Sequence, residues 1–418
     1  RNEKFLKKLK QSNERAIREK ESTSVKFVKE TSEKYRDLFR VISFAGGKDS
    51  SVVAILVKKA LGSIPLFFSD TTLEFPETYS FIESFAEKYG FELIKDNDGK
   101  FYRSPQNFFK LCDQLGPPSM RYRWCCTVFK AQPVNLFYKT LKGDVLAFDG
   151  IRKNESHTRE KYHAVTSVKK ICRQIATYPI FRWREADVWF YILHRKIDYN
   201  PLYELGHTRV GCRVCPNASP SNCFFRKLTH PKLWSEFERV LESYAERYGK
   251  DRNWIDSNYW RLRLPKKDKI VAVSPHKPCG SEDYFIYDFK SPFDKHFLEH
   301  FKPFGDIVMK ETSKLQYFQI EAKNPFSMGG FVGGSRLRVS FNPQVFPEAK
   351  KIFERQLTKA LNCISCGGCV GTCPVGAISI SDGQLKIDSN LCTHCKKCLK
   401  GRCIAVNFKR ERKVVKNT

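Results

Sequence analysis

Near the end of the chain, cysteines recur at spacings that select one kind of chemistry. The run "CISCGGCVGTCP" supplies Cys363, Cys366, Cys369 and Cys373, followed by Pro374; the run "CTHCKKCLKGRC" supplies Cys392, Cys395, Cys398 and Cys403. Thiolates two residues apart on a tight loop can reach three corners of one iron–sulfur cubane, and the fourth is expected from the other run. Cys363, Cys366, Cys369 and Cys403 would hold one [4Fe-4S] cluster, and Cys392, Cys395, Cys398 and Cys373 a second. Two zinc sites are the alternative, although zinc modules rarely use eight cysteines in an interleaved pattern. The last spacing of the second run is one residue longer than that of the first, so Cys403 is the ligand the pattern specifies least. Such a pair of clusters conducts single electrons.

Four further cysteines lie in two distant places. "MRYRWCCTVFK" carries the adjacent pair Cys125 and Cys126, and "YELGHTRVGCRVCP" carries Cys212 and Cys215. Together they can offer four thiolates to one metal centre, with iron–sulfur the first expectation and zinc the second. Adjacent residues point apart in regular structure, so the pair requires a turn or a distorted helix.

The third feature is "RVISFAGGKDSSVVAIL", from Arg40 to Leu56. It reads as an apolar strand, a glycine-rich turn and an apolar helix, the arrangement that offers backbone N–H groups to a phosphate at a helix N-terminus. Short apolar runs ("VISFA", "IPLFFSD", "FELIKD", "DVLAFDG") alternate with amphipathic stretches ("SSVVAILVKKAL", "ETYSFIESFAEKYG") up to about Arg226. This alternation implies an α/β fold, a parallel sheet with helices on both faces. Ligands of such sheets bind at the carboxyl ends of the strands, where "AGGKDS", "SDTTLEFPET" and "FDGIRKNES" fall.

In their order, "AGGKDSS", "DTTLEFPETYSFIE", "RWCCTVFK", "DGIRKNESHTR" and "NPLYELGHTRVGCRVCP" resemble the adenylyl-sulfate/phosphoadenylyl-sulfate (APS/PAPS) reductases of the PP-loop ATP-pyrophosphatase superfamily. The cysteine-rich end resembles bacterial ferredoxins. The whole arrangement resembles archaeal proteins in which a reductase-type domain is fused to a ferredoxin module, some with an RNA-binding domain upstream. The resemblance implies that Gly46, Gly47, Lys48, Asp49 and Ser50 cradle phosphate, with Lys48 neutralising its charge and Ser50 donating a hydroxyl. Asp70, Thr72 and Glu155 would sit near the nucleotide, and Arg152 or Arg159 would face an anionic sulfate or phosphate. A local Glu155–Arg159 helix pair is the plainer reading of those two residues. Cys125, Cys126, Cys212 and Cys215 would be the four ligands of a central [4Fe-4S] cluster, making three clusters in all.

Two departures stand out. The reductases end in a mobile Glu-Cys-Gly-Leu-His motif that supplies the nucleophile; here the nearest candidate is Cys279 in "HKPCGSEDY", with Cys223, Cys112 and Cys172 as further spare thiols, and for all four an inert buried role is the simpler reading. The loop also keeps Gly-Gly-Lys-Asp-Ser, as ATP-cleaving members do, while Ala45 stands where the superfamily usually has Ser. The expected function is reductive cleavage of adenylyl sulfate or phosphoadenylyl sulfate to sulfite, fed by the chain's own ferredoxin clusters from a low-potential donor. The alternative is ATP-dependent thiolation of an acceptor such as a tRNA base; an electron-transfer or RNA-binding scaffold is the non-enzymatic reading.

The chain's 418 residues suit several domains. The expected divisions are a basic helical lead-in at 1–40, in which Phe5, Leu6, Leu9 and Ile17 fall near helical spacing and simple docking is the plainer role, the PP-loop domain at 41–226, a helical then α+β segment at 227–361, the ferredoxin module at 362–404 and a basic tail at 405–418. A formal charge of +29 favours polyanionic partners, nucleotides or RNA among them. No run of about 20 uncharged apolar residues suggests a membrane span. Sixteen clustered cysteines without a leader-like start point to a reducing cytoplasm. The chain opens on Arg1, so an upstream segment is expected. A homodimer would suit an exposed active site. The glycine-rich "FSMGGFVGGSRLRVSF" reads as a hairpin turn.

Overall fold

The computed structural model describes residues 2–167, 171–264, 274–277, 284–289, 292–311, 316–320, 326–400 and 403–404, with the side chains of 2–10, 274, 311 and 400 outside the description. The chain forms two compact units, Arg1–Arg263 and Leu264–Thr418.

The first unit is built on a five-stranded sheet of β1 (Phe39–Ser43), β2 (Leu66–Phe67), β3 (Val145–Phe148), β4 (Val165–Ser167) and β5 (Gln174–Thr177). The order is β2-β1-β3-β5-β4, parallel except for the edge strand β4. Side chains alternate across a strand, and here that alternation serves two cores. Ile42, Leu146 and Phe148 face one core with Val52, Val53 and Leu56 of helix α2 (Lys48–Leu61) and Ile82 and Phe85 of helix α3 (Pro76–Tyr89). Val41, Val145 and Ala147 face the other, with Phe67, Phe137 and Tyr138. Burying a side chain such as Phe85, only 1% exposed, contributes about 1.5–3 kcal/mol. The expected parallel α/β fold of the PP-loop type is therefore present, with helices on both faces.

Helix α1 (Asn2–Lys34) is the lead-in, and it docks. Glu21 is 5% exposed and accepts hydrogen bonds from Tyr191 Oη (2.8 Å) and Lys59 Nζ (2.8 Å) and from Arg195. Trp183 Nε1 donates to Ser24 Oγ at 3.1 Å. Glu21's partners lie on α2 and the helix Glu185–Arg195, and Trp183 just precedes that helix, so α1, through Ile17 and Val28, completes a core.

Two strand readings change. "FELIKD" contributes only an isolated bridge, Leu93 to Leu66, because its neighbour β2 is two residues long. Strand β5, in "CRQIATYPI", escapes a hydrophobic pattern because two of its inward positions are polar. Thr177 Oγ1 donates to Ala147 O at 3.0 Å, and Gln174 accepts from Tyr138 Oη at 3.1 Å. The expected boundary at 226/227 is also not where the units divide. The helix Pro231–Arg247 belongs to the first unit: Phe237 meets Trp260 and Phe108 edge-on or tilted at 5.2 and 6.2 Å, and Arg263 donates to Leu115 O at 2.8 Å.

The second unit holds a six-stranded antiparallel sheet: β6 (Ser274–His276), β7 (Phe285–Asp288), β8 (Ile307–Glu311), β9 (Gln316–Ile320), β10 (Phe326–Phe331) and β11 (Arg336–Phe341), in the order β6-β7-β11-β10-β9-β8. The Phe-rich region is its core. Phe297, Phe301, Phe318, Phe326 and Phe353 pack over the inner face. The glycine-rich patch is the β10–β11 hairpin, turning through Gly333 at φ +79°. Between the two cysteine runs lies a small hairpin, β12 (Ile378–Ser381) with β13 (Gln384–Ile387). It is tied to the Phe-rich core by Ile387 N donating to Glu299 Oε2 at 2.7 Å. No helix among the described residues is long and apolar enough to cross a membrane.

His300 makes the second unit acid-sensitive. Burial, reinforced by the nearby Lys359 cation, lowers its pKa to about 3. The unfolded chain takes up this proton near 6.5 and the folded chain does not, so stability is full above 6.5 and falls as pH drops below it. Between pH 7 and 5 the unit should lose about 2 kcal/mol. Denaturant titration at both pH values checks this, and His300→Gln should remove most of the difference.

Candidate active site and cysteine centres

The turn after β1 is shaped by residues far away in sequence. Gly46 adopts φ +66°, and a Cβ there would meet Thr78 Cγ2 at 3.1 Å and Ile82 Cγ1 at 3.2 Å. Asn200, fully buried, donates to Gly46 O (3.2 Å) and Thr78 Oγ1 (3.2 Å). Tyr203 Oη accepts from Lys48 N at 3.0 Å, so this first helical N–H already has a partner. Ser50 Oγ donates to Gly47 O at 2.8 Å. Lys48 is buried, its Nζ 3.2 Å from Thr208 O and 3.1 Å from Glu185 Oε1 and 5.2 Å from the centre of the Tyr203 ring. The hydroxyl and ammonium expected on phosphate are thus engaged with protein.

The loop after β3 lies directly on this turn. A Cβ on Gly150 would come 2.9 Å from Asp49 C and Ser50 N, so only glycine allows the approach. Two residues on, buried Arg152 donates from Nε to Asp49 Oδ1 at 2.5 Å and reaches Glu155 at 3.6 Å. Glu155 pairs with Arg159, the i,i+4 pair expected as the plain reading. Arg159 is lowered by burial and by the nearby Arg209 and Arg152 cations. Beside it Asp149 is raised to about 6 by burial, against a hydrogen bond from Ser43 and the Arg159 charge. Asp49, Arg152, Glu155 and Arg159 are therefore brought together at the strand ends.

Asp70 and Thr72 form a turn of their own. Asp70 Oδ1 accepts from Thr72 N and Tyr79 Oη, both at 2.7 Å, and Thr72 has φ +60°. The carboxylate is engaged in shaping the loop "DTTLEF".

That loop carries a residue the sequence reading passed over. Glu74, 6% exposed, accepts from Thr71 Oγ1 at 3.0 Å and from Cys212 Sγ at 3.3 Å. The Cys125–Cys126 pair sits at the end of a short helix (Trp124–Cys126) that continues as a π-helix (Thr127–Ala131), which supplies the distortion expected of adjacent ligands. Cys215 N donates to Cys212 O at 3.0 Å, a turn that presents the second pair. The Cys125 thiol is pushed up by its hydrogen bond with Cys126, by burial, and by the charges of Cys126, Cys212 and Cys215. Lys130 is held up by Cys212 foremost, with Glu74, Cys126 and Cys215 adding to it against the cost of burial. The four thiols thus share one neighbourhood with a cation. A pocket beside them is lined by Lys130, His207, Arg209, Cys212, Cys215 and Arg226 among others. Arg209 joins this pocket to Arg159, and among the described residues its guanidinium has no carboxylate within ion-pair distance.

In the second unit Lys359, 4% exposed, plays the corresponding part. Burial alone would lower it, but Cys369, Cys403, Cys398 and Cys363 hold it at about 12. Burial pushes Cys363 up to about 11, with Cys369 and Cys403 adding. Burial likewise raises Cys366, helped by Cys369, Cys403 and Cys363. Cys398, pushed to about 11 mainly by burial, feels Cys373 and Cys392 as well as Cys369. Cys403 thus acts on two thiols of the first run, and Cys373 on one thiol of the second. Cys395 is exposed. Among the described residues no three His, Cys, Asp or Glu side chains gather tightly enough to ligate a metal ion. Four thiols acting on buried Lys359, and three acting on Lys130, nonetheless fit the donor chemistry of anionic iron–sulfur clusters. Of the spare thiols, Cys112 and Cys223 are buried and Cys172 is half-buried. Cys279 lies outside the described residues.

Residues 40–218 match the phosphoadenosine phosphosulfate reductase domain. Over that span the chain is similar to this reductase family. An uncharacterized protein of Methanocaldococcus jannaschii is 38% identical over 60% of this chain and 51% of its own length. An adenosine 5′-phosphosulfate reductase of Geobacillus is 28% identical over 43% of this chain and 72% of its own. The chain spans about half the length of the first of these relatives. A crystal structure of phosphoadenylyl-sulfate reductase from Candida auris aligns at TM-score 0.33, with 22% identity, over 42% of this chain and 81% of that one.

In this reductase-type domain the Gly150 contact gives a direct test. Gly150→Ala should push the β3 loop off the first turn of α2, costing about 1–3 kcal/mol of stability. Calorimetric titration with adenine nucleotides should show affinity falling at least tenfold while the fold is retained.

Proposed function

We propose that the chain is an iron–sulfur sulfonucleotide reductase that cleaves adenylyl sulfate or its 3′-phosphorylated form to sulfite. The observation that carries this is the junction formed by Arg209. One side of it is the Asp49–Arg152–Glu155–Arg159 group at the phosphate loop; the other is the pocket of Cys212, Cys215 and Lys130. A nucleotide seated on the strand ends would direct its terminal anion toward that junction. Arg152 and Arg159 are partly neutralised by Asp49 and Glu155, which leaves Arg209 and Lys130 as the cations best suited to a sulfate.

A cysteine thiolate would attack the sulfur, breaking the bond to the phosphate oxygen and releasing AMP or its 3′-phosphate as the leaving group. The enzyme-bound S-sulfocysteine would then accept two electrons from a low-potential donor, releasing sulfite and restoring the thiolate. Cys279 is the proposed nucleophile, since Cys112 and Cys223 are buried. Iron–sulfur clusters on Cys363, Cys366, Cys369 and Cys403, and on Cys373, Cys392, Cys395 and Cys398, would supply single-electron transfer. Cys125, Cys126, Cys212 and Cys215 would hold a third cluster, with Lys130 balancing its negative charge.

Anaerobic incubation with either sulfonucleotide and a reduced low-potential donor should release sulfite; none from either would overturn the reading. Arg209→Ala should raise KM at least tenfold with a smaller effect on kcat. Cys279→Ser should abolish sulfite formation. Reconstituted protein should contain about 12 iron atoms per chain, falling to about eight in Cys212→Ser. A second reading, ATP-dependent thiolation of an acceptor, is favoured by the intact Gly46-Gly47-Lys48-Asp49-Ser50 loop. Release of pyrophosphate from ATP in the presence of bulk tRNA would select it.

A further inference from the structure

The six-stranded sheet of the second unit has two faces, and the described residues of that unit form a core over one of them. Leu337, Val339, Phe318 and Met328 point inward to the Phe-rich core. The alternate residues form an outer face whose composition differs from an ordinary solvated one. Phe331 on β10 is 46% exposed and is directly opposite Tyr317 on β9, their rings 5.5 Å apart and edge-to-face. Gly329 has no side chain, and a Cβ there would meet Tyr317 Oη at 2.5 Å, so the ring is free to lie across the sheet.

Cations flank the aromatic pair on both sides. On β8, Lys310 is opposite Tyr317 and exposed. On β11, Arg336 and Arg338 are exposed; the Arg338 guanidinium carbon lies 3.8 Å from the centre of the Tyr284 ring. Asp288 is the one carboxylate among the outward positions of the described strands, and Arg336 already pairs with it at 2.6 Å. Six strands at about 4.8 Å spacing make the face about 24 Å wide.

We propose that this face binds single-stranded nucleic acid. An exposed phenylalanine and a half-buried tyrosine beside a row of cations form the arrangement that stacks unpaired bases while neutralising the backbone between them. Charge complementarity favours this occupant over others: the whole chain carries +29, and a protein partner would need a strongly acidic surface with nothing to stack. Double-stranded nucleic acid would offer phosphate but no open base to Phe331. The inference is independent of the sulfonucleotide reading, because the site uses none of the residues assigned to catalysis.

The test is fluorescence anisotropy of the full chain with labelled oligouridylate of about 12 nucleotides, without any mononucleotide present. Saturable binding is expected. Phe331→Ala and Tyr317→Ala should each weaken it about tenfold. Arg338→Gln should reduce the slope of log affinity against log salt by about 0.7. That variant lies wholly on the surface, so it keeps the test valid if removal of an aromatic disturbs the sheet. Oligothymidylate binding equally would show that bases and phosphates are read; weaker binding would show that the ribose hydroxyl is read as well. No binding would overturn the proposal. So would an affinity unchanged in all three variants, or displacement by polyglutamate as effective as by unlabelled oligouridylate.

Discussion

Gly150 rests against the backbone of Asp49 and Ser50, and Arg152 two residues later holds the Asp49 carboxylate. This contact joins the loop after β3 to the first turn of α2, and the rest of the candidate site is arranged around it. It brings a buried guanidinium to a helix N-terminus that is itself positively polarised, and Asp49 is the counter-charge that makes the arrangement tolerable. Glu155 repeats that neutralisation for Arg159. The cations left without a carboxylate are displaced outward, toward Arg209 and the cysteine pocket. A fold that had merely stacked basic residues at the strand ends would repel itself; pairing each inner arginine concentrates the uncompensated charge in one place.

The same logic of compensation appears at both cysteine centres. Thiols packed together resist ionisation, as the upward shifts of Cys125, Cys363 and Cys366 record. A lysine stands among each set, Lys130 in the first unit and Lys359 in the second. In an apolar surrounding a lone lysine would lose its proton. Here neighbouring thiols reverse the effect, which suits a centre that becomes strongly anionic when thiolates bind iron. Glu74, placed against Cys212 and felt by Lys130, belongs to this local balance.

The two units put apolar area to different uses. In the first, alternating strand residues feed two cores, which fixes the sheet between helices and leaves the strand ends free for ligand. In the second, one face of an antiparallel sheet is covered by phenylalanines and the outward positions of the described strands are aromatic and basic. The hairpin glycines reconcile the two faces. Gly330 packs inward, where a Cβ would meet Arg336 O at 2.9 Å, while Gly329 makes room on the outside for Tyr317.

Much of this was legible in the sequence, for identifiable reasons. Cysteine spacing is a local property, so the two cysteine runs and the CC and CxxC pairs could be read directly. Strand–turn–helix alternation with "AGGKDSS" declared the parallel α/β fold, because its apolar periodicity is set by which faces are covered. The sequence could not assign roles that depend on distant partners. Lys48 looks like a phosphate ligand until Glu185 and Thr208 are seen to hold its ammonium. Asp70 looks like a nucleotide contact until its turn with Thr72 and Tyr79 is built. Arg209, Lys130 and Glu74 stand inside the quoted motifs without a role that spacing assigns, and only the juxtaposition of loops far apart in the chain made them part of the site. The boundary at Arg263 was equally hidden, because the helix Pro231–Arg247 reads the same whichever core its aromatic stripe joins. Local pattern determined the elements and the ligand chemistry; the tertiary structure decided which charges are already paired, and therefore which remain to meet a substrate.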